Sequence, residues 1–135
     1  TPQPPILSGL VGSEMCIRDS SDSWEEAYDK ISDKYGEYGH CRIYQEIGML
    51  INTLKFAKNV GHGICIQVSQ GADTDSFGAT SGSILGAYFG PGYLDDKWIK
   101  PFNDDIHTGL AWFFERSVSK LAKRMSKLPA ISIQK

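Results

Sequence analysis

The sequence predicts an all-α, multi-helical fold, and three observations support this prediction. A capping-box pattern, Ser23-Trp-Glu-Glu26, marks the start of a helix. Residues 42–58 carry apolar side chains at three- and four-residue spacing, as an amphipathic helix does. Glycine recurs every fourth residue from Gly78 to Gly86 in a small, apolar stretch, which places the glycines along one helix face.

Composition indicates one small globular domain and excludes several functional classes. Of 135 residues, 41% are hydrophobic and 22% are charged, which is ordinary for a globular protein. The net charge of -2 provides no broad basic surface for nucleic acid or an anionic membrane. Three cysteines without CxxC spacing argue against a disulfide framework and favour a reducing, cytoplasmic setting. No apolar run approaches the roughly 18 residues that a membrane span needs.

The first twenty residues are expected to lie outside the folded domain. They begin with three prolines in five residues and show no helical or strand periodicity. The string VGSEMCIRDS at positions 11–20 resembles translated sequencing-adapter read-through. We therefore expect 1–20 to be a disordered, artefactual segment, with the natural protein continuing upstream. Residues 21–128 are expected to form the C-terminal part of a helical domain, and 129–135 a tail.

The first two helices are expected over Trp24–Asp33 and Arg42–Lys58. The apolar face of the first is expected to carry Trp24, Ala27, Tyr28, Ile31 and Tyr35, and that of the second Ile43, Ile47, Leu50, Ile51, Leu54, Phe56 and Ala57. The loop between them contains His40, which is either a ligand contact or a solvated turn residue. Asn59 followed by Gly61 is the expected C-terminal stop of the second helix.

Later elements are less regular in sequence. Gly63–Ser69 is short enough to be either a strand or a two-turn helix, and periodicity does not decide between them. A short helix is expected over Leu94–Ile99, with a break at Pro101. Asp104 or Asp105 is expected to cap a long final helix that ends near Met125.

The stretch from Gly71 to Gly90, GADTDSFGATSGSILGAYFG, is the candidate site. Asp73 could be a helix N-cap, but that role explains one carboxylate better than two. An EF-hand loop starting at Asp73 fails, because its fifth and twelfth positions are Phe77 and Ile84. The third interpretation is a hard-metal site, in which two carboxylates and a hydroxyl offer oxygen ligands to magnesium, manganese or calcium.

The glycines of this stretch lower its helix propensity, so a structural compensation is expected. Three glycines within a helix forfeit roughly 1.5 to 3 kcal/mol of helix propensity relative to alanine. Close approach of another helix is the simplest compensation, because a glycine lets two backbones come together. We therefore expect a helical neighbour against Gly78, Gly82 and Gly86.

These residues resemble the C-terminal signature of the ADP-ribosylglycohydrolase family. The matching residues are Gly71-Ala-Asp-Thr-Asp75 followed by Gly78-Ala-Thr-Ser-Gly82-Ser-Ile-Leu-Gly86. Asn52 on the preceding helix, Trp98 and the Pro-Phe-x-Asp-Asp segment add to the resemblance, which extends from about Ile43 to Met125. It implies an incomplete, multi-helical orthogonal bundle of that family's type.

The resemblance also implies a chemistry. Family members hold two magnesium ions and cleave the N- or O-glycosidic bond of ADP-ribosyl groups on a protein or a small molecule. Carried over to this chain, Asp73, Asp75 and Ser76 would be metal ligands, with serine in place of the usual threonine. No catalytic residue is identifiable, and substrate-binding residues stay unknown. A metal would act as template and Lewis acid for the attacking water.

One part of the family pattern is missing. The chain contains no second acidic motif of the Thr-Asp-Asp-Thr kind. We therefore expect a C-terminal fragment of a hydrolase that is inactive by itself. Two alternatives remain: a non-catalytic helical binding module whose Asp-Thr-Asp turn is only a cap, and a module that binds calcium for stability.

Overall fold

The computed structural model describes residues 16–17, 19–39 and 41–128, and in this part of the chain the all-α prediction is confirmed. The α-helices are α1 (Trp24–Tyr35), α2 (Ile43–Phe56), α3 (Val60–Ser69), α4 (Thr74–Phe89), α5 (Asp96–Ile99) and α6 (Val118–Met125). Short 3-10 helices cover Gly36–Tyr38 and Lys100–Phe102. No helix of the described ranges combines the length and apolar character that a membrane crossing requires.

The chain divides into two compact units, with the boundary between Leu94 and Asp95. In the first unit α2 packs against α1, α3 and α4, and α3 packs along α4. The core of this unit is formed by buried apolar side chains from α1 to α4: Ala27, Ile31, Tyr35, Met49, Val60, Ile66 and Leu85. Because α2 contacts the other three long helices, it is the element around which this unit is built.

The start of α1 agrees with the predicted cap. The Ser23 hydroxyl accepts a hydrogen bond from the Glu26 backbone N–H at 3.2 Å. The reciprocal bond is shifted by one residue, because the Glu26 carboxylate accepts from the backbone N–H of Asp22 at 3.0 Å. The cap fixes the beginning of the helix, whereas the end extends two residues beyond the predicted one, to Tyr35.

Residues directly before α1 contribute to the first unit. Cys16, Ile17 and Asp19 are helical, although they belong to the segment 1–20 that we expected to be artefactual. Ser21 is buried, and its backbone carbonyl accepts a hydrogen bond from the Lys55 ammonium at 3.0 Å. The Lys30 ammonium donates to the Ser20 carbonyl at 3.1 Å. The first fifteen residues and the predicted tail at 129–135 lie outside the described part of the chain.

The segment left open between strand and helix is a helix, α3. Asn59 is its N-cap, and the Asn59 side chain accepts a hydrogen bond from the His62 backbone N–H at 2.8 Å. The prediction that Asn59 ends α2 is therefore wrong, since α2 ends at Phe56 and Asn59 begins the next helix. Once capped, this apolar segment is stabilised as a helix by packing along α4, which local periodicity does not reveal.

The buried face of α2 differs from the predicted one. The predicted apolar face is only partly buried, and Ile43 is 61% exposed. The buried residues of α2 are mainly polar or small: Gln45, Glu46, Gly48, Met49, Asn52 and Thr53. Polar groups from α3 meet this face, so hydrogen bonding within the first unit, and not apolar burial alone, orients α2.

In the second unit the final helix is shorter than predicted. That helix was expected from Asp104 or Asp105 to Met125, but only Val118–Met125 is helical. Residues 106–117 form an irregular loop, closed by a hydrogen bond from the Ile106 N–H to the Arg116 carbonyl at 2.9 Å. A threonine, a glycine and three consecutive aromatic residues give this stretch a low helix propensity, which explains the interruption.

The aspartates proposed as caps act across this loop instead. Asp104 accepts hydrogen bonds from the Ser119 backbone N–H at 2.7 Å and from the Ser117 hydroxyl at 2.5 Å, at the start of α6. Asp105 pairs with the Arg116 guanidinium, and the Arg116 Nε donates to Oδ1 at 2.6 Å. None of the described residues of this unit is buried, so these polar contacts hold the loop together at its surface.

The second unit also contains an open cavity of about 420 Å³. Its lining is predominantly apolar and comes from α5, α6 and the segments between them: Trp98, Ile99, Phe102, Asp104, Ile106, Val118, Ser119 and Ala122. The Trp98 indole N–H is buried and has no hydrogen-bond partner among the described residues. Both short α-helices of this unit thus contribute side chains to the cavity wall.

Candidate functional site

The candidate site begins at the turn between α3 and α4. Gly71 has a φ of +80° and Ala72 a φ of +60°, so the chain passes through two successive left-handed residues before α4 starts. Glycine adopts this conformation without steric cost, whereas alanine does not. The turn brings Asp73 to the N-cap position of α4, where its Oδ1 accepts a hydrogen bond from the Ser76 backbone N–H at 3.4 Å.

Asp75 lies in the first turn of α4, beside Asp73. A side-chain hydrogen bond with Asp73 holds the pKa of the Asp75 carboxyl below its ordinary value of 3.8, and the backbone N–H groups of Asp75 and Ser76 lower that pKa further. The free N–H groups at a helix N-terminus favour negative charge in the same way. Asp75 and Ser76 are exposed, so both can reach a ligand in solvent.

The structure therefore brings two of the predicted ligands together. Asp73 is the N-cap of α4, and Asp75 and Ser76 follow it in the first helical turn. Two adjacent carboxylates repel each other when both are ionised, and a divalent cation relieves that repulsion. The donor set of two carboxylates and one hydroxyl consists of hard oxygen atoms, which suit magnesium. On this chemistry the residues present fit a magnesium ion.

Asp73 also has neighbours outside the predicted motif. A carboxylate oxygen of Asp73, a carboxylate oxygen of Glu46 and the Cys41 sulfur all lie within 4.8 Å of one another. Glu46 lies in the first turn of α2 and is buried, whereas Cys41 is exposed just before that helix. Asp75 does not belong to this group of three. His40, which the sequence left as a candidate, lies outside the described residues.

Glu46 was missed from the sequence, although a signal was available. It lies three residues after Ile43 and four before Leu50, so it interrupts the apolar pattern of α2 with a carboxylate. Charged side chains are seldom fully buried unless they are paired. A carboxylate at an apolar position of a helix is therefore a reason to look for a counter-charge. Only the fold shows that, among the described residues, Glu46 faces a second carboxylate, Asp73, and the Cys41 sulfur instead of a basic side chain.

A buried amide network lies directly below the turn. Gln70, the last residue before Gly71, donates to the Thr53 hydroxyl at 2.8 Å and to the Met49 carbonyl at 3.1 Å. The Asn52 amide donates to the Gln70 side-chain oxygen at 2.8 Å and to the Trp24 carbonyl at 2.8 Å. These bonds connect α1, α2 and the end of α3, so they fix where the site turn leaves α3.

The glycines of α4 allow close packing on α3, as expected. A Cβ atom at Gly78 would lie 3.3 Å from Val68 Cγ2, and one at Gly82 would lie 3.2 Å from Ile64 Cδ1. Gly63 of α3 faces α4 in the same way, because its Cβ would overlap Leu85 Cδ1. Gly86 differs, since no atom lies within 4 Å of its would-be Cβ. The prediction of a helical neighbour is confirmed for Gly78 and Gly82.

Comparison with known proteins assigns the family. Searches of curated proteins and of solved structures gave no match. The family model described as ADP-ribosylglycohydrolase matches residues 8–129. The match spans both compact units and starts inside the segment that the sequence assigned to an artefact. It includes the Asp73–Ser76 turn, the glycine-bearing helix and Glu46. Because the match covers most of its length, the chain belongs to the ADP-ribosylglycohydrolase family.

Proposed function

We propose that the chain is part of a magnesium-dependent hydrolase that cleaves the glycosidic bond of ADP-ribosyl groups, carried by a protein or a small molecule. Membership of the family supports hydrolysis of this kind. The observation that carries the magnesium proposal is the placement of Asp73, Asp75 and Ser76 in one turn at the N-terminus of α4, where Asp73 accepts a hydrogen bond from the Ser76 backbone N–H. Three exposed and free cysteines agree with a cytosolic location.

Each residue of the motif has a distinct part in this proposal. The Asp73 and Asp75 carboxylates and the Ser76 hydroxyl would hold the metal. When bound, magnesium would supply a template and Lewis acid for the ribose hydroxyls and the attacking water. The Ser76 N–H bond to Asp73 orients the first carboxylate, and the left-handed turn at Gly71 and Ala72 sets its position. A second ion would need ligands beyond these residues.

Turnover by this chain alone is not expected. The chain contains no Thr-Asp-Asp-Thr segment, so it supplies only one of the two acidic motifs of the family. We therefore expect the 135-residue chain to bind magnesium without hydrolysing an ADP-ribosylated peptide.

A second candidate function has one observation in its favour. Asp73 does cap α4, as a purely structural aspartate would. On this alternative the chain is a non-catalytic helical binding module, and Asp75 is a favourable charge near the helix N-terminus. A calcium ion held for stability is a related alternative, which predicts a thermal shift with calcium and no hydrolysis.

Metal titration of the full chain separates these candidates. Calorimetric titration with Mg²⁺, and with Mn²⁺ as a paramagnetic substitute, would compare the unmodified protein with Asp75→Asn. Asp29→Asn, an exposed change on α1, is the matched control. We expect Asp75→Asn to weaken Mg²⁺ binding by about tenfold, roughly 1.4 kcal/mol, and the control to leave it unchanged. Equal Mg²⁺ affinities in all three proteins would refute the magnesium site and leave the binding module and the calcium alternative.

A further inference from the structure

Glu46 has no partner that explains its burial. It is 6% exposed, and its Oε1 is buried without a hydrogen-bond partner among the described residues. A buried carboxylate without a donor or counter-ion is costly, because it has lost its hydration and gained nothing in return. Because Glu46 lies in the first turn of α2, the helix dipole offsets only a modest part of this cost. The burial of Glu46 therefore indicates a positively charged group that the described residues do not supply.

The surroundings of Glu46 specify what kind of group is missing. A carboxylate oxygen of Asp73 and the Cys41 sulfur lie within 4.8 Å of the Glu46 carboxylate. Ligands bound to one tetrahedral ion at about 2.0–2.3 Å lie roughly 3.3–3.8 Å from each other. The three atoms lie within 4.8 Å of one another, so side-chain adjustments of about 1 Å would bring them around a single ion. Among the described residues, no histidine joins this group.

We propose that Cys41, Glu46 and Asp73 form a binding site for a borderline divalent cation of the zinc class. The mixed donor set decides the class, because a thiolate with two carboxylates suits zinc, whereas magnesium prefers oxygen ligands alone. Binding removes the proton of the Cys41 thiol, so a proton is released as the sulfur–metal bond forms. Glu46 is the buried ligand and Cys41 is the exposed one, which leaves an access path from solvent.

This site goes beyond the magnesium site of the proposed function, although the two share Asp73. It does not involve Asp75 or Ser76, and it does not depend on ADP-ribose. An ion here would connect the start of α2 to the turn before α4. The two sites can therefore be lost separately by substitution.

The test measures metal binding by the full 135-residue chain. Zn²⁺ affinity is obtained by competition with a chromophoric chelator, and Cd²⁺ serves as a probe whose ultraviolet charge-transfer band reports a bound thiolate. Glu46→Gln keeps the size of the side chain, with the exposed change Glu37→Gln as its control. Cys41→Ser has Cys65→Ser as its control, since Cys65 is also exposed and free.

We expect Glu46→Gln and Cys41→Ser each to weaken Zn²⁺ binding at least about tenfold, with both controls unchanged. The Cd²⁺ band should disappear in Cys41→Ser and persist in Cys65→Ser. Unchanged Zn²⁺ affinity in Cys41→Ser, or no Cd²⁺ band in the unmodified chain, overturns the proposal. If Glu46→Gln fails to fold, the exposed Cys41→Ser still decides the outcome.

The same titrations keep this site distinct from the proposed function. Asp75→Asn should weaken Mg²⁺ binding and leave Zn²⁺ binding nearly unchanged. If Asp75→Asn acts as expected while Glu46→Gln and Cys41→Ser leave Zn²⁺ affinity intact, the zinc-class site is refuted and the magnesium site stands. The reverse result would refute the magnesium site alone.

Discussion

The close packing of α3 on α4 predicts opposite effects for the same substitution at two glycines. Gly63 is buried in α3, and a Cβ there would overlap Leu85 Cδ1 and lie 3.0 Å from Ala57 Cβ. Gly86 lies inside α4, where a Cβ would meet no atom within 4 Å. Both substitutions to alanine gain helix propensity, but only the one at Gly63 has to displace neighbours.

The magnitudes follow from these two environments. Glycine to alanine in a helix interior gains about 0.5–1 kcal/mol, so Gly86→Ala should stabilise the protein by that amount. Overpacking a filled core costs about 1–3 kcal/mol. Since two side chains obstruct the Gly63 position, we take the upper half of that range and expect Gly63→Ala to lose about 1–2.5 kcal/mol after the propensity gain is subtracted.

Urea denaturation followed by far-ultraviolet circular dichroism measures both changes in the free energy of unfolding. A double-mutant cycle with Leu85→Ala adds a specific check, because removing the leucine end should make Gly63→Ala less costly by about 1 kcal/mol or more. If Gly63→Ala and Gly86→Ala stabilise the protein equally, or the cycle shows no coupling, α3 and α4 do not approach as described.

Two further predictions concern hydrogen bonds. Thr53→Val removes the hydroxyl that accepts a hydrogen bond from the Gln70 amide. We expect the free energy of unfolding in urea to fall by about 1–3 kcal/mol, and by less than about 0.5 kcal/mol for the exposed control Thr80→Val. Equal effects of the two substitutions would contradict the network. The Arg116 guanidinium lowers the pKa of the Asp105 carboxyl. This depressed pKa stabilises the folded state above pH 3.8, and that contribution disappears as pH falls through the folded-state pKa. Carbon-13 NMR titration should show the Asp105 pKa rising toward 3.8 in Arg116→Gln, and an unchanged pKa would refute the pairing.

Part of the fold and of the site could be read from local signals. The Ser23 cap, the start of α4 at Asp73 and the helix that carries the glycines all appear as predicted, because a cap is a contact between residues three apart. Asp73 and Asp75 are near each other for the same reason. These features depend on short stretches of chain, so a single sequence contains their cause.

Other parts depended on contacts between distant residues. Local pattern left α3 undecided between strand and helix, and the packing partner that favours the helix is α4. The prediction of a long final helix was wrong, because Asp104 and Asp105 form hydrogen bonds with residues on the far side of an intervening loop. In each case residues far apart in sequence provide the stabilising contact, which a reading of local periodicity does not include.

The candidate site shows the same division. By itself the sequence determined an acidic turn at Asp73 and Asp75, since adjacent residues on one helical turn are held together by the chain. Only the tertiary structure brought Glu46 and Cys41 to that turn, because the packing of α2 against α4 decides which distant side chain faces Asp73. Local chain geometry thus placed Asp73 and Asp75 in one turn, and helix packing added the buried Glu46 carboxylate and the Cys41 sulfur beside Asp73.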